Sequence, residues 1–206
     1  MIRAVLFDLG GVVFTSPFEA FARYEREHGL PDGFIRGLNT TNPDTNAWAR
    51  LERADVSFEQ FCELFEAEAR AAGGQLEGRA VIELLAGDVR DEMVEAIRRC
   101  RERLKTAAVT NNWIVEDDGG RRIDDLAGPL FDVVIESSKI GLRKPDPRIY
   151  ERACEQLDVQ PAEAVFLDDI GANLKPARAM GMATIKVTDP LEAIAELERV
   201  VGFALR

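Results

Sequence analysis

The 206-residue chain reads as an α/β protein, a doubly wound parallel sheet with a block of helices inserted after the first strand. Three observations predict this. From Arg90 onward, short apolar runs alternate with amphipathic helices, the pattern of βαβ units whose helices cover both faces of a sheet. The first run, residues 2–7, is apolar except for Arg3, as a strand buried on both faces is. Between residues 16 and 87, helix signals recur without a convincing strand, over a length no plain loop has.

The elements follow in order. The first strand ends at Asp8, and Gly10-Gly11 allow a sharp turn and close backbone approach. Ser16 reads as an N-cap with Pro17 at the first helical position, and Gly29 and Pro31 end that helix. Residues 31–45 are turn-rich, and a helix around Trp48 and Leu51 follows over 46–54. Ser57 and Gln60 form a capping box for a helix with Phe58, Phe61, Cys62, Phe65 and Ala69 on one side. Residues 76–85 add a further turn or two. Next come a helix over 91–103, a strand over 104–109 ending in Thr110-Asn111-Asn112-Trp113, a polar loop over 116–122 and a strand over 132–135. Asp146-Pro147 starts a helix through Leu157, and the strand 164–167 ends in Asp168-Asp169. A helix over 171–180 must hold Pro176 in its first turn or kink there. A strand over 182–187 and a helix capped by Asp189 complete the chain. Two domains are expected, residues 1–15 with 88–206 as the core and 16–87 as a helical cap.

Composition bounds the function. The formal net charge of -11 argues against nucleic acid and anionic membrane surfaces as partners, while leaving room for a small phosphorylated molecule. No leader or apolar span is evident, and Cys62, Cys100 and Cys154 lie far apart without a C-x-x-C pairing, which suits a cytoplasmic protein. A single histidine, His28 at a helix end, leaves no basis for a His-based triad or a zinc centre.

Four strand ends carry polar groups of complementary kinds, and in a doubly wound sheet those ends meet along one edge. They hold Asp8, Thr110-Asn111, the stretch from Ser138 to Lys144, and Asp168-Asp169. A carboxylate can attack phosphorus and form an acyl phosphate. Mg²⁺ can neutralise the charge of that encounter, with Asp8, Asp169 and the carbonyl of Gly10 as ligands. The Thr110 hydroxyl and the Lys144 ammonium can hold phosphate oxygens. Each alone is more readily a surface lysine, a strand-end hydroxyl or a helix cap; their joint placement carries the argument.

Those motifs, FDLGGV at Asp8, Thr110-Asn111, GLRKPDPRIY at Lys144 and VFLDDIGANLKPARAMG at Asp168-Asp169, resemble the haloacid dehalogenase-like superfamily along the whole chain. The last two stretches are most similar to the N-terminal phosphatase domain of soluble epoxide hydrolases and to phosphatase-like domains fused to acyl-CoA dehydrogenases. The resemblance implies a Rossmann-like core, a helical cap, Mg²⁺ and a small phosphate ester as substrate. It implies Asp8 as nucleophile, Thr110 and Lys144 as catalytic phosphate holders, and Leu9, Gly10 and Asn111 as further phosphate-binding positions. Asp169 would be a direct metal ligand, Asp168 an outer-shell ligand or the partner that orients Lys144, and Asn173 a support for that acidic pair. Trp113 would stack on or wall off the substrate; packing is the alternative reading.

One departure matters. Phosphatases of this superfamily usually carry an acid/base Asp two residues after the nucleophile, and here that position is Gly10. Positioned proton transfer is worth about 10² to 10⁴ in rate, roughly 3 to 5 kcal/mol. The expectation is a preference for acyl, aryl or anomeric phosphates, which leave without an acid. A replacement acid could come from the cap or from Asp117-Asp118. Three functions are compatible with this sequence: a Mg²⁺-dependent phosphatase, a non-catalytic binder of a phosphorylated ligand or protein, and a carbon–halogen hydrolase. Retention of the acidic pair weighs against the third.

Overall fold

The computed structural model describes residues 1–114 and 128–206, so the predicted loop over 116–122 and Asp117-Asp118 lie outside the described residues. Five strands form one parallel sheet: β1 (Ala4–Phe7), β2 (Lys105–Thr110), β3 (Val133–Glu136), β4 (Ala164–Asp168) and β5 (Ala183–Lys186). Their order is β3-β2-β1-β4-β5. The chain moves outward from β1 to β3, then returns to the other side of β1 with β4. The reversal of direction therefore lies between β1 and β4, where sheets of this kind open a crevice at the C-terminal strand ends.

The sheet is apolar on both faces, which explains the continuous apolar run at the start of the chain. Val5 and Phe7 of β1 pack with Val165 and Leu167 of β4 against Met93 and Ile97 of the helix Asp91–Arg101 and Ile194 and Leu197 of the helix Pro190–Val201. Ala4 and Leu6 face the other way, with Phe166, against Ile149, Tyr150 and Ala153 of the helix Pro147–Leu157 and Leu174 of the helix Gly171–Ala179. Strand periodicity of two thus sends alternate residues into two separate cores. Asp146 and Asp189 cap the helices that follow them, each accepting a backbone N–H.

Between β1 and the helix Asp91–Arg101 lie five helices: Phe18–Glu27, Phe34–Thr40, Ala47–Glu52, Phe58–Ala71 and Gly78–Glu83. They share a third apolar cluster, in which Trp48 meets Phe61 and Phe65 edge-on at centroid distances of 5.1 and 5.8 Å. Phe14 and Val89 form an isolated bridge where this segment leaves and rejoins the sheet-bearing part. The Ser57–Gln60 capping box is formed in both directions.

Two local expectations need correction. Ser16 is not the N-cap of the first helix; the cap is Pro17, and the Ser16 hydroxyl is buried without a partner. The chain there is tied back by Thr15 N–H to the Asp88 carbonyl, so the helix starts only at Phe18. The turn-rich stretch over 31–45 contains the helix Phe34–Thr40, started by a long-range cap: Glu25 accepts the N–H groups of Gly33 and Ile35, both at 2.8 Å. Of the two places expected for Pro176, the structure excludes the first turn: it lies further inside the helix Gly171–Ala179. Among the described residues, no helix is long and apolar enough to cross a membrane.

Candidate active site

The site is built on the ends of β1 and β4. Parallel pairing holds β1 beside β4, with Phe7 opposite Leu167, and the Asp8 N–H continues the ladder to the Leu167 carbonyl at 2.9 Å. The next residues, Asp8 and Asp168, therefore emerge side by side. The ammonium of Lys144 lies between them, 2.7 Å from Asp8 Oδ1 and 2.8 Å from Asp168 Oδ2. All three side chains are almost wholly buried.

Asp168 is fully engaged. Its Oδ1 accepts the Ile170 N–H at 2.7 Å, and Asn173 Nδ2 donates to both oxygens at 3.1 and 3.0 Å. It thus holds Lys144 in place. Asp8 Oδ1 also accepts the Leu9 N–H at 2.7 Å. The Leu9 carbonyl accepts the N–H groups of Val13 and Phe14, both at 2.9 Å, which closes the turn around the glycine pair.

The two glycines are not equivalent. Gly11 has φ +73°, and a Cβ there would lie 2.2 Å from Asp169 Oδ2. It is a glycine both because left-handed backbone disfavours side chains and because the Asp169 carboxylate occupies the space. Gly10 is exposed, and a Cβ built on it meets nothing within 4 Å.

Asp8, Asp168 and Asp169 each offer an oxygen within 4.8 Å of the others. Burial pushes the Asp8 carboxyl well above its usual range, and the Asp168 charge adds to this against the downward pull of Lys144. Burial, with Asp168 next, raises Asp169 to about 6. Burial alone would lower Lys144; the charges of Asp168 and Asp8 outweigh it and raise its pKa, so it is an ammonium. The Lys144 ammonium serves two buried carboxylates, Asp8 and Asp168, beside the partly buried Asp169, and the raised acids mark negative charge that is not fully compensated. A hard, oxygen-only donor set of this kind fits Mg²⁺.

Thr110 lies at the end of β2, buried, with Asn111 next to it. Asn111 pins the backbone of Lys144: its Oδ1 accepts the Lys144 N–H at 2.8 Å and its Nδ2 donates to the Lys144 carbonyl at 3.1 Å. Trp113 is partly buried against the helical cluster, 6.3 Å from Trp48 in an edge-on arrangement, and its indole N–H has no partner. Two further residues have no role predicted from the sequence. Asn112 takes the Ser138 N–H and hydroxyl on Oδ1, at 3.2 and 2.9 Å, and joins β2 to the helix Ser137–Ile140 that leads toward Lys144. Glu52, in the helical segment, accepts from Asn111 Nδ2 at 3.1 Å and from Arg143 Nε at 2.6 Å. Glu52 carried a detectable signal: it is an acid at a helix C-terminus, where the dipole disfavours it.

With its parallel strand order, its reversal point between β1 and β4 and its lysine between two aspartates at the strand ends, the chain has the architecture of a doubly wound, Rossmann-like α/β core. It belongs to the haloacid dehalogenase-like hydrolases, whose family model matches residues 2–181. Relatives place it within that family. It is 36% identical to acyl-CoA dehydrogenase family member 10 of Mus musculus, covering 98% of this chain and 19% of the relative. It is likewise 36% identical to bifunctional epoxide hydrolase 2 of Mus musculus, covering 98% of this chain and 39% of the relative. The chain thus spans well under half the length of these relatives. A sesquiterpene phosphatase of Aspergillus oryzae is 28% identical over 97% of each chain. A solved structure, a predicted HAD-like hydrolase from Porphyromonas gingivalis, has the same fold at a TM-score of 0.71 and 24% identity, covering 98% of both chains.

Proposed function

We propose that the protein is a Mg²⁺-assisted phosphatase for small phosphate esters with good leaving groups, working through a phosphorylated Asp8. The observation that carries the reading is the Lys144 ammonium held between Asp8 and Asp168, beside a third carboxylate, Asp169. The sesquiterpene phosphatase that matches this chain end to end supports the choice of phosphate over other ester chemistry.

An oxygen of Asp8 attacks phosphorus, and the bond from phosphorus to the ester oxygen breaks. Lys144, with the Thr110 hydroxyl, binds the phosphoryl oxygens and offsets the charge that builds on them. Asp168 and Asn173 keep Lys144 aimed. Asp8 and Asp169, with the Gly10 carbonyl, would hold Mg²⁺, which when bound neutralises charge between carboxylate and phosphate. Water then cleaves the aspartyl phosphate, releasing inorganic phosphate and restoring the Asp8 carboxylate. Residue 10 gives the departing oxygen no proton, so the leaving group departs as the anion; that restricts the reaction to acyl, aryl or anomeric phosphates. The helical segment 16–87 acts as a cap that excludes water and bounds the substrate.

The test is a panel of phosphate esters spanning leaving-group acidity, assayed with Mg²⁺ and with a chelator, on the wild type, Asp8→Asn and Gly10→Asp. Aryl phosphate turnover should vanish in Asp8→Asn and in the chelator. Because a side chain fits at position 10, Gly10→Asp should fold and raise turnover of alkyl phosphates by about 10² or more. Equal wild-type rates on alkyl and aryl esters would refute the leaving-group restriction. Aryl turnover unchanged in Asp8→Asn would refute the mechanism.

A further inference from the structure

We infer that Glu52 is a positioning residue for Lys144, acting through Asn111, so that seating the helical segment on the sheet also sets the ammonium over Asp8. The geometry stands on its own; the kinetic consequence rests on the phosphatase reading above.

Glu52 ends the helix Ala47–Glu52. A carboxylate there faces the negative end of the helix dipole, and this one is also largely buried, its side chain 13% exposed. A buried charge in an unfavourable field persists where partners outside its own helix compensate it. Both partners of Glu52 Oε2 belong to the phosphate-site loops: Arg143 Nε at 2.6 Å and Asn111 Nδ2 at 3.1 Å. Arg143 grips the helical segment a second time, donating from Nη1 to the Pro43 carbonyl at 2.7 Å.

The chain of contacts then runs inward. Asn111 uses the same Nδ2 to reach the Lys144 carbonyl and its Oδ1 to receive the Lys144 N–H. An amide whose nitrogen is shared between Glu52 and Lys144 is fixed in rotation, with its oxygen aimed at the Lys144 N–H. Lys144 is therefore held at its backbone by Asn111 and at its ammonium by Asp8 and Asp168. Removing Glu52 frees Asn111 to rotate and leaves Arg143 without its carboxylate. The backbone brace of Lys144 loosens, while its ammonium partners remain.

The experiment reads Lys144 directly. Amide hydrogen exchange and steady-state kinetics are measured on the wild type, Glu52→Ala, Glu52→Gln, Asn111→Ala and the Glu52→Ala/Asn111→Ala double variant. In Glu52→Ala the Lys144 amide should exchange about tenfold faster or more, while amides of Ala107 and Phe166 inside the sheet stay at wild-type rates. The kcat for aryl phosphates should fall about tenfold or more, with KM changing less, because misplacing a charge-stabilising group costs rate. Glu52→Gln retains an oxygen for Asn111 and should restore Lys144 protection. The double variant should be no worse than Asn111→Ala, since the two act in series. Unchanged Lys144 exchange in Glu52→Ala, or additive losses in the double variant, would overturn the inference. A wild type without Asp8-dependent turnover would overturn the phosphatase reading instead, and the exchange rates would still decide the positioning claim.

Discussion

The two ends of the sheet use the same kinds of residue for different purposes. At the N-terminal ends of the strands, Arg3 pairs with Glu163 at 3.0 Å and Arg101 with Asp132 at 2.9 Å, and every one of these side chains is 30–48% exposed. At the C-terminal ends, Lys144 pairs with Asp8 and Asp168 at 2.7 and 2.8 Å, and no side chain of that trio exceeds 9% exposure. The distances are nearly equal, so burial makes the difference. Water screens the first set, and such pairs contribute little. The second set is desolvated, so each charge depends on its partners, and the cluster remains short of positive charge. A site that draws in a cation and a phosphate, as proposed above, would have reason to be built this way; an edge that only joins helices and strands has none.

Removing the buried cation should break that contrast most severely. In Lys144→Met, Asp8 and Asp168 face each other without compensation. We expect a loss of about 3–5 kcal/mol in stability, the range for breaking a buried pair from one side. Urea unfolding measures it. Added Mg²⁺ should recover part of the loss by resupplying positive charge, whereas it should do nothing for Arg3→Ala at the other end. Turnover should fall by about 10² or more, as when a transition-state charge stabiliser is lost.

The glycine pair sharpens the comparison within the site itself. Gly11→Ala puts a side chain on backbone at φ +73° and into the Asp169 carboxylate. We expect about 1–3 kcal/mol of destabilisation, from the left-handed backbone and the forced shift. The displaced Asp169 should also weaken Mg²⁺ binding, which calorimetric titration would show. Gly10→Ala meets open space and should stay within about 0.5 kcal/mol of the wild type. Comparable losses for both would mean that the turn, not the approach of Asp169, dictates glycine here.

What could be read in advance follows the range of the interactions. The strands and their order of appearance were legible because burial on both faces leaves continuous apolar runs, and the polar ends stood out against them. Asp8, Lys144, Asp168 and Asp169 do lie together, since parallel pairing forces adjacent strand ends into one place. Helices with local caps, such as the Ser57–Gln60 box, were legible for the same reason. The helix Phe34–Thr40 was not, because its cap is Glu25, whose carboxylate arrives from another helix. Ser16 failed as a cap because long-range bonds at Thr15 and Phe14 control the chain there. Glu52 and Asn112 were missed alike: their partners lie 59 and 26 residues away, a separation that spacing rules do not cover.

The smallest effect expected is at the exposed end, and its pH dependence identifies its source. Asp132 Oδ2 accepts the Thr106 N–H at 2.8 Å and the Thr106 hydroxyl at 3.1 Å, while Oδ1 takes Arg101 Nε at 2.9 Å. Burial raises its pKa, but these donors outweigh it and hold the carboxyl below its usual value. A depressed acid binds fewer protons folded than unfolded, so its contribution is present above the unfolded pKa of about 3.9 and is lost as pH falls through the lower folded value. Asp132→Asn keeps an oxygen for Thr106 and loses only the charge. Since Arg101 and Asp132 are 40% and 37% exposed, screening limits the cost to about 1 kcal/mol or less. The urea midpoints of wild type and variant should differ slightly at pH 7 and converge as pH falls through the lowered folded pKa of Asp132, where both side chains become neutral. A gap that persists undiminished in acid would assign the effect to packing, and this end of the sheet would then resemble the buried one more than its exposure suggests.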